Sequence, residues 1–329
     1  MSEYSITFGP IPSRRLGRSI GINNIPPKIC SYGCIYCQIG RALKVEDQRK
    51  AYYSTREVVE AVGEKVKTVQ NAGEAIDFLT FVPDGESTLD IHLGEEIQQL
   101  KSLGIPLAII TNSSTMDRQD VREDLKNLDL VSAKVDSVIE SLWRKTNRPH
   151  KNIRLDSIME GLRTFSREYN GKLITETMLI DGVNDTRENL EQTAEFIHSL
   201  NPYAAYISIP TRPPARTDIK PASEEVLNLA YQIFSSKIDR VEMLLGYEGN
   251  AFAHSGDTEK DILAITAVHP MREDAIEEFL QRDQKDWDLI QKLVDEDKLL
   301  ETEFQGKKFY LRKLAKHQRI GRRRGDSRE

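Results

Sequence analysis

Residues 30–37 read CSYGCIYC, and they hold all three cysteines of the chain, Cys30, Cys34 and Cys37. An odd number of thiols spaced by four and then three is a poor disulfide framework, and a reducing compartment would keep them as thiols. The same spacing lies on one face of a helix, where buried thiols pack as small hydrophobes. Pro26 and Pro27 upstream and Gly33 inside the window weigh against that helix. A structural zinc site needs a fourth ligand, and the first histidine of the chain is His92. An iron–sulfur cluster suits the window best, because thiolates are its preferred ligands and one short loop can wrap it. Three thiolates leave one iron of a four-iron cube open, and an open metal position is where chemistry happens. Packing and zinc stand here as equal alternatives below the cluster.

Outward from this window the chain alternates between two patterns. Residues 1–53 read as irregular, with Pro10, Pro12, Pro26 and Pro27, apart from an apolar stretch at 20–25. Helical periodicity follows at 55–70, 92–103, 117–128, 153–168, 187–200 and 222–236. Between these lie short apolar runs at 76–82, 107–111, 130–135, 173–180, 204–209 and 241–245. Strand and helix alternating at this spacing predict an α/β fold with a parallel sheet and helices outside it. Six such units predict a partial (βα)6 TIM-type barrel rather than a complete eightfold one. The turn-rich segments PDGEST, TNSST, DGVND and PTRPPARTD each follow a strand, which is where such folds keep their chemistry.

The barrel is expected to span residues 1–250, with 247–256 as a linker. Residues 257–314 show three helical patterns and then a hairpin turning at Gln305 and Gly306, the order of a winged-helix-like module. The segment 315–329 reads as a basic flexible tail. Of 329 residues 39% are hydrophobic and 30% charged, which fits a folded chain rather than a disordered one. The net charge of −6 marks no general nucleic-acid binder, but its distribution is uneven. Residues 257–305 carry 15 acidic and 6 basic side chains, whereas 306–329 carry 10 basic and 2 acidic. An acidic helix is repelled by phosphates, so the winged order does not imply a DNA reader; the basic end is the part that would attract RNA. No apolar run approaches the roughly 20 residues of a membrane span, and MSEYSITFGPIPSRR has no signal-peptide core. A cytoplasmic protein with no membrane partner is expected.

CSYGCIYC is a CxxxCxxC motif with an aromatic residue, Tyr36, before its last cysteine, and it resembles the signature of the radical S-adenosylmethionine (SAM) superfamily. The opening FGPIPSRRLGRSIGINNIPPKICSYGCIYCQIG is similar to the subgroup of wyosine-base (tRNA) synthases. The resemblance implies a four-iron, four-sulfur (4Fe-4S) cluster on Cys30, Cys34 and Cys37, whose open iron chelates the methionine part of SAM. Reductive cleavage would give a 5′-deoxyadenosyl radical that abstracts a hydrogen atom from a substrate. It also implies a reductant protein of flavodoxin or ferredoxin type. Family members carry a Gly-Gly-Glu-like motif after the second strand. Here Asp84 departs from it and leaves Gly85 and Glu86 as the carried-over residues. The resemblance further implies cofactor-side roles for Tyr36 and Asn184, while Asn112 and Ser113, at the end of the third strand, are placed either to meet the ribose or carboxylate of SAM or to cap the turn.

Arg14, Arg15 and Arg212 stand where guanidinium groups would hold an anionic substrate, with Arg216 a weaker companion. Lys134, Asp136, Glu176 and Met178 fall at strand ends or in the barrel interior, and the six histidines are scattered without ligand spacing. Wyosine-forming members carry a second cluster, and no cysteine remains for one here. Three readings of function follow: a radical SAM enzyme acting on tRNA or other RNA, one acting on a peptide or small metabolite, and a non-enzymatic iron–sulfur winged-helix regulator.

Overall fold

Strands buried on both faces appear in sequence as continuous apolar runs, and the runs noted above form one parallel sheet. A computed structural model describes residues 5–246, 252 and 257–313. In chain order the barrel elements are β1 (Thr7–Ser13), β2 (Gly17–Ile22), β3 (Ile29–Cys30), β4 (Lys44–Val45), α1 (Thr55–Asn71), β5 (Phe78–Phe81), α2 (Leu93–Leu100), β6 (Leu107–Thr111), α3 (Gln119–Leu125), β7 (Leu130–Lys134), α4 (Glu140–Asn147), α5 (Leu155–Glu168), β8 (Lys172–Met178), α6 (Arg187–Ser199), β9 (Ala204–Ser208), α7 (Glu224–Ser235) and β10 (Val241–Leu244). The main sheet runs β1-β2-β5-β6-β7-β8-β9-β10 and curls into a half-barrel. All its neighbours are parallel except β1, which pairs antiparallel with β2.

The helices cover the outside for local reasons that α1 illustrates. Ser54 and Glu57 form a reciprocal capping box, and Val58, Val62, Val66 and Val69 make the buried stripe. Leu79, Phe81, Ile109 and Val131 point outward into that helix-covered core. The alternate residues point into the bore. Leu16, Ala108, Leu130, Ile174, Ala204, Tyr206 and Leu244 fill its lower end. Above this plug the inward positions turn polar: Ser19 hydrogen-bonds Thr80 at 2.5 Å, and Ser208 donates to Glu176 at 3.0 Å.

Besides the two-residue strands β3, β4 and Met271–Arg272, two longer elements differ from the sequence reading. Residues 7–13 form a strand in a region read as irregular. Pro10 and Pro12 are tolerated because β1 is an edge strand, with its register shifted between Phe8 and Ile11. Residues 140–147 form a helix whose polar sequence, ESLWRKTN, hides its few buried positions, Trp143, Thr146 and Asn147. The six strand–helix units stand as expected, with β10 closing the series.

Beyond the barrel come α8 (Thr258–Val268), β11 (Met271–Arg272), α9 (Glu273–Arg282), α10 (Asp288–Asp295), β12 (Leu299–Phe304) and β13 (Lys307–Arg312). Their sheet is antiparallel in the order β11-β13-β12, and the hairpin turns at Gln305 and Gly306, both with positive φ as a two-residue turn requires. These elements share their core with the barrel: Phe8 and Ile11 of β1 pack with Ile262, Ile265, Val268, Met271 and Phe279. Lys65 on α1 pairs with Asp261 on α8 at 3.6 Å. The expected linker at 247–256, Phe252 apart, and the basic tail at 315–329 lie outside the described residues. Among the described residues no helix is long and apolar enough to cross a membrane.

Phe8 lies over Gly21, where a Cβ would fall 2.0 Å from its ring, so it joins the sheet edge to the C-terminal core. Phe8→Ala is expected to lower stability by about 3–5 kcal/mol, as buried Phe truncations do, read from urea unfolding.

Candidate metal centre

The cysteine loop leaves β2 and is held on three sides by backbone bonds. On the first side, Lys28 N–H donates to the Asp84 carbonyl at 2.6 Å and Glu86 N–H to the Ile29 carbonyl at 3.1 Å. Gly85 is needed in this approach, because a Cβ there would fall 2.0 Å from the Ile29 oxygen. On the second side, Cys30 lies on β3, paired with Val45 of β4. On the third, Gly33 N–H donates to the Asn147 carbonyl at 3.1 Å and Ile35 N–H to the Thr146 carbonyl at 3.0 Å. The helix that the sequence reading passed over, α4, is therefore a wall of the centre.

Two asparagine amides donate to sulfur. Asn112 Nδ2 lies 3.4 Å from Cys30 Sγ, and Asn147 Nδ2 lies 3.5 Å from Cys34 Sγ. Burial pushes the Cys30 thiol well above its ordinary range, helped by Glu86 and by the other two cysteines. Burial, Asp136 and Cys37 push Cys34 up to about 12, and burial raises Cys37 as well. Sulfurs in such a place become thiolates only when a bound cation replaces their protons. Among the described residues no group of three His, Cys, Asp or Glu side chains is placed to hold a metal ion. A cube takes one thiolate at each of three corners, and the three thiols of one loop match that donor set.

Glu86 is buried and joins two strand ends. Its Oε1 accepts from Thr88 N–H (3.2 Å), Thr88 Oγ1 (2.7 Å) and Thr111 Oγ1 (2.7 Å), and its Oε2 accepts from Asn112 N–H (2.7 Å). Burial raises its pKa against these donors. Asn112 in turn donates to Ser31 Oγ at 2.9 Å, so the loop after β6 reaches the cysteines. Ser113 is buried in a left-handed conformation, with φ of 66°. Asp84, the departure from the family pattern, pairs with Lys28 of the cysteine loop at 2.7 Å. Burial lifts it to about 6 despite that lysine.

Tyr36 donates its hydroxyl to Asp136 Oδ2, which also accepts from Asn147 Nδ2 at 2.7 Å, and Lys134 Nζ sits 5.0 Å from the Tyr36 ring. Asn184 is fully buried. Its Oδ1 accepts from Ile180 N–H (2.9 Å), and its Nδ2 donates to the Asp136 (2.9 Å) and Met178 (2.8 Å) carbonyls. Asn184 thus shapes the loop after β8 from within, and Asp185 accepts from Gly182 N–H at 2.9 Å in that loop. Glu176 lies between Arg15 and Lys134, the latter at 2.9 Å. Burial works to raise its pKa, yet Arg15 and Lys134 hold it far below the usual carboxylate range.

Arg212 is placed beside the cysteine loop, its N–H donating to Gln38 Oε1 at 2.8 Å. Arg14 is exposed, and Arg216 pairs with Asp218 on the surface. Sequence reasoning missed Lys28, Ser31, Asn147 and His269. Asn147 lies on the unread helix, and His269 reaches the bore only through the packing of α8.

A sequence model of the radical SAM superfamily matches residues 24–197. The chain belongs to the radical SAM superfamily. It is 48% identical over 312 residues to UPF0026 protein MJ1312 of Methanocaldococcus jannaschii, covering 94% of this chain and 97% of that one. The fold is similar to a structure of TYW1 with a lysine-pyruvate adduct bound (TM-score 0.53, 18% identity, 67% of this chain and 74% of that one). It is likewise similar to a radical SAM methyltransferase from Sphaerobacter thermophilus (TM-score 0.51, 16% identity, 69% of this chain and 66% of that one). At these identities the likeness shows the fold. As a radical SAM enzyme the chain takes a 4Fe-4S cluster and S-adenosylmethionine, and its donor set of three clustered thiols fits that cluster.

Gly85→Ala is expected to displace the cysteine loop, measured as lost iron after anaerobic reconstitution with the circular-dichroism spectrum retained. A second outcome concerns Glu96, buried on α2 with its pKa raised from 4.5 to about 9 by burial first and by Asp90 next. Its folded pKa exceeds its unfolded one, so the wild type should lose stability as pH rises through the window between about 4.5 and 9. The slope inside that window approaches about 1.4 kcal/mol per pH unit. Glu96→Gln should remove this slope and stabilise the protein at pH 8, seen in unfolding curves at several pH values.

Proposed function

We propose that this radical SAM enzyme holds its cluster on Cys30, Cys34 and Cys37, binds SAM across the strand-end loops bearing Gly85, Glu86, Asn112 and Ser113, and acts on a small molecule in the bore. The observation that carries the reading is the bonded path from Glu86 through Asn112 to Cys30, which ties two strand-end loops to the cysteines. Bound there, the cofactor pair supplies one-electron cleavage of SAM and with it a hydrogen-abstracting 5′-deoxyadenosyl radical.

The chain's own residues do the positioning. Gly85 admits the backbone of the cysteine loop, and Glu86 keeps the ends of β5 and β6 at fixed spacing. Asn112 and Asn147 donate N–H groups to two sulfurs, which stabilises their negative charge. Asp136 orients the Tyr36 ring toward the SAM side, and Asn184 supports that wall from below. The apolar plug of the bore keeps water from the radical. The electron comes from a reductant protein, for which a flavodoxin or ferredoxin type is the expected class.

Among substrate classes, the small cavity of about 130 Å³ in the bore, lined in part by Val268 and His269, supports a small molecule. The order α8-β11-α9-α10-β12-β13 supports a winged-helix-like module, and the acidic composition of 257–305 does not favour nucleic acid. The RNA reading keeps the basic segment 306–329 and Arg212 as its support.

Anaerobically reconstituted protein is expected to bind a four-iron cluster and, with a strong reductant, to release 5′-deoxyadenosine from SAM. Cys34→Ala should lose both. A cluster-loaded protein that yields no 5′-deoxyadenosine would leave the regulator reading standing instead. RNA that co-purifies with the full chain and is lost on deleting 315–329 would move the substrate class to nucleic acid.

A further inference from the structure

A single residue closes the loop that carries the cysteines. Lys28 stands two positions before Cys30 with φ of 64°, a left-handed conformation that residues other than glycine rarely adopt. Every polar group it has is engaged. Its N–H donates to the Asp84 carbonyl at 2.6 Å, and its carbonyl accepts from Leu43 N–H at 3.0 Å and Lys44 N–H at 3.2 Å. Its ammonium donates to the Ile39 carbonyl and lies 2.7 Å from the Asp84 carboxylate. The segment 28–44 is thus drawn shut on Lys28, by backbone at its far end and by side chain at Ile39, two positions past Cys37. A left-handed residue persists where its surroundings over-determine it, as these bonds do.

The ammonium and the carboxylate are both nearly buried, their side chains 11% and 5% exposed. Desolvation offsets most of the attraction within such a pair, so stability alone does not account for it. Its place in the loop does. The turn it holds closes on Cys37, whose carbonyl accepts from Gly40 N–H at 3.2 Å, and a Cβ on Gly40 would fall 3.7 Å from the Lys28 ammonium. Side-chain amides serve the other two sulfurs, Asn112 at Cys30 and Asn147 at Cys34. Beside Cys37 stands this charge pair instead, Asp84 disfavouring the thiolate and Lys28 favouring it. A glycine in place of Asp84, as in the Gly-Gly-Glu-like pattern, would leave the ammonium without its counter-charge.

We propose that Lys28 and Asp84 are a positioning pair for the Cys37 corner of the cluster: the ammonium holds the turn that carries this sulfur, and the carboxylate cancels the effect of the ammonium on the cluster's reduction potential. The inference rests on the placing of the cluster on Cys30, Cys34 and Cys37. Cluster potentials respond to nearby charge, and a charge acts further where water is excluded. An ammonium by itself would ease reduction of the cluster and make the reduced form a weaker electron donor. A carboxylate by itself would do the reverse. Paired, they hold the turn and nearly cancel at the iron.

The test is a redox titration of anaerobically reconstituted full-length protein at pH 8, read by electron paramagnetic resonance, together with the rate at which a chelator strips the iron. Lys28→Met removes the positive charge and should lower the midpoint potential. Asp84→Asn removes the negative charge and should raise it, and the double variant should return toward the wild-type value. Both single variants break the same ion pair, so a purely structural role would shift both in one direction or neither. The chelator should strip Lys28→Met at least about tenfold faster than the wild type, and Lys28→Arg should recover part of that loss. Potentials that move together, potentials that stay at the wild-type value, or a Lys28→Met cluster as resistant to the chelator as the wild type would overturn the proposal. Where Lys28→Met takes up too little iron to titrate, Asp84→Asn decides: a rise supports the pair, and no rise overturns it. Wild-type protein that binds no four-iron cluster would overturn the cluster reading itself, and this proposal with it.

Discussion

The arrangement of the centre depends on one buried carboxylate. Glu86 has no solvent to share, and its two oxygens take donors from Thr88, Thr111 and the Asn112 backbone. A carboxylate is desolvated at large cost unless such donors surround it, so the loops after β5 and β6 cannot move apart without exposing or orphaning it. The Asn112 side chain is aimed at Cys30 as a result, and Gly85 lies flat against the backbone that carries that cysteine. Local strand geometry sets where the loops begin; this knot sets where they meet.

The bore shows the same logic with opposite sign. Glu176 is ionised between Arg15 and Lys134 because the two cations outweigh burial. Arg15 thereby balances a carboxylate inside the bore. A buried ion triad of this kind is weak evidence for stability, since desolvation offsets much of its attraction. Its better reading is positional: it holds a guanidinium still in a space where an exposed arginine would sample many rotamers.

Much of this was legible in the residues. Alternation of apolar runs and 3.6-residue periodicity revealed the six strand–helix units, because each strand lies between two covered faces. CSYGCIYC revealed the centre, since no packing need concentrates every thiol of a chain in eight positions. Asp84 looked like a mere departure from a family pattern; only the fold brings Lys28 beside it. Asn147 was invisible because its helix has a polar sequence and few buried positions, and its partner, Cys34, is distant in the chain. Asn184 was read as facing the cofactor, yet it supports the loop from inside, a distinction of side-chain direction that sequence does not encode. β1 escaped notice because two prolines outweighed its apolar alternation, and only an edge position makes them harmless.

Phe8 and Ile11 share a core with α8, β11 and α9, so nearly the whole length of the described chain separates residues that must meet. Contacts of such long range are closed late and slowly. During synthesis the first strand emerges long before the segment that covers it. The sheet edge must wait, unshielded, until the C-terminal elements leave the ribosome. The part of the core built from α8 and α9 is therefore among the last to close over the sheet edge.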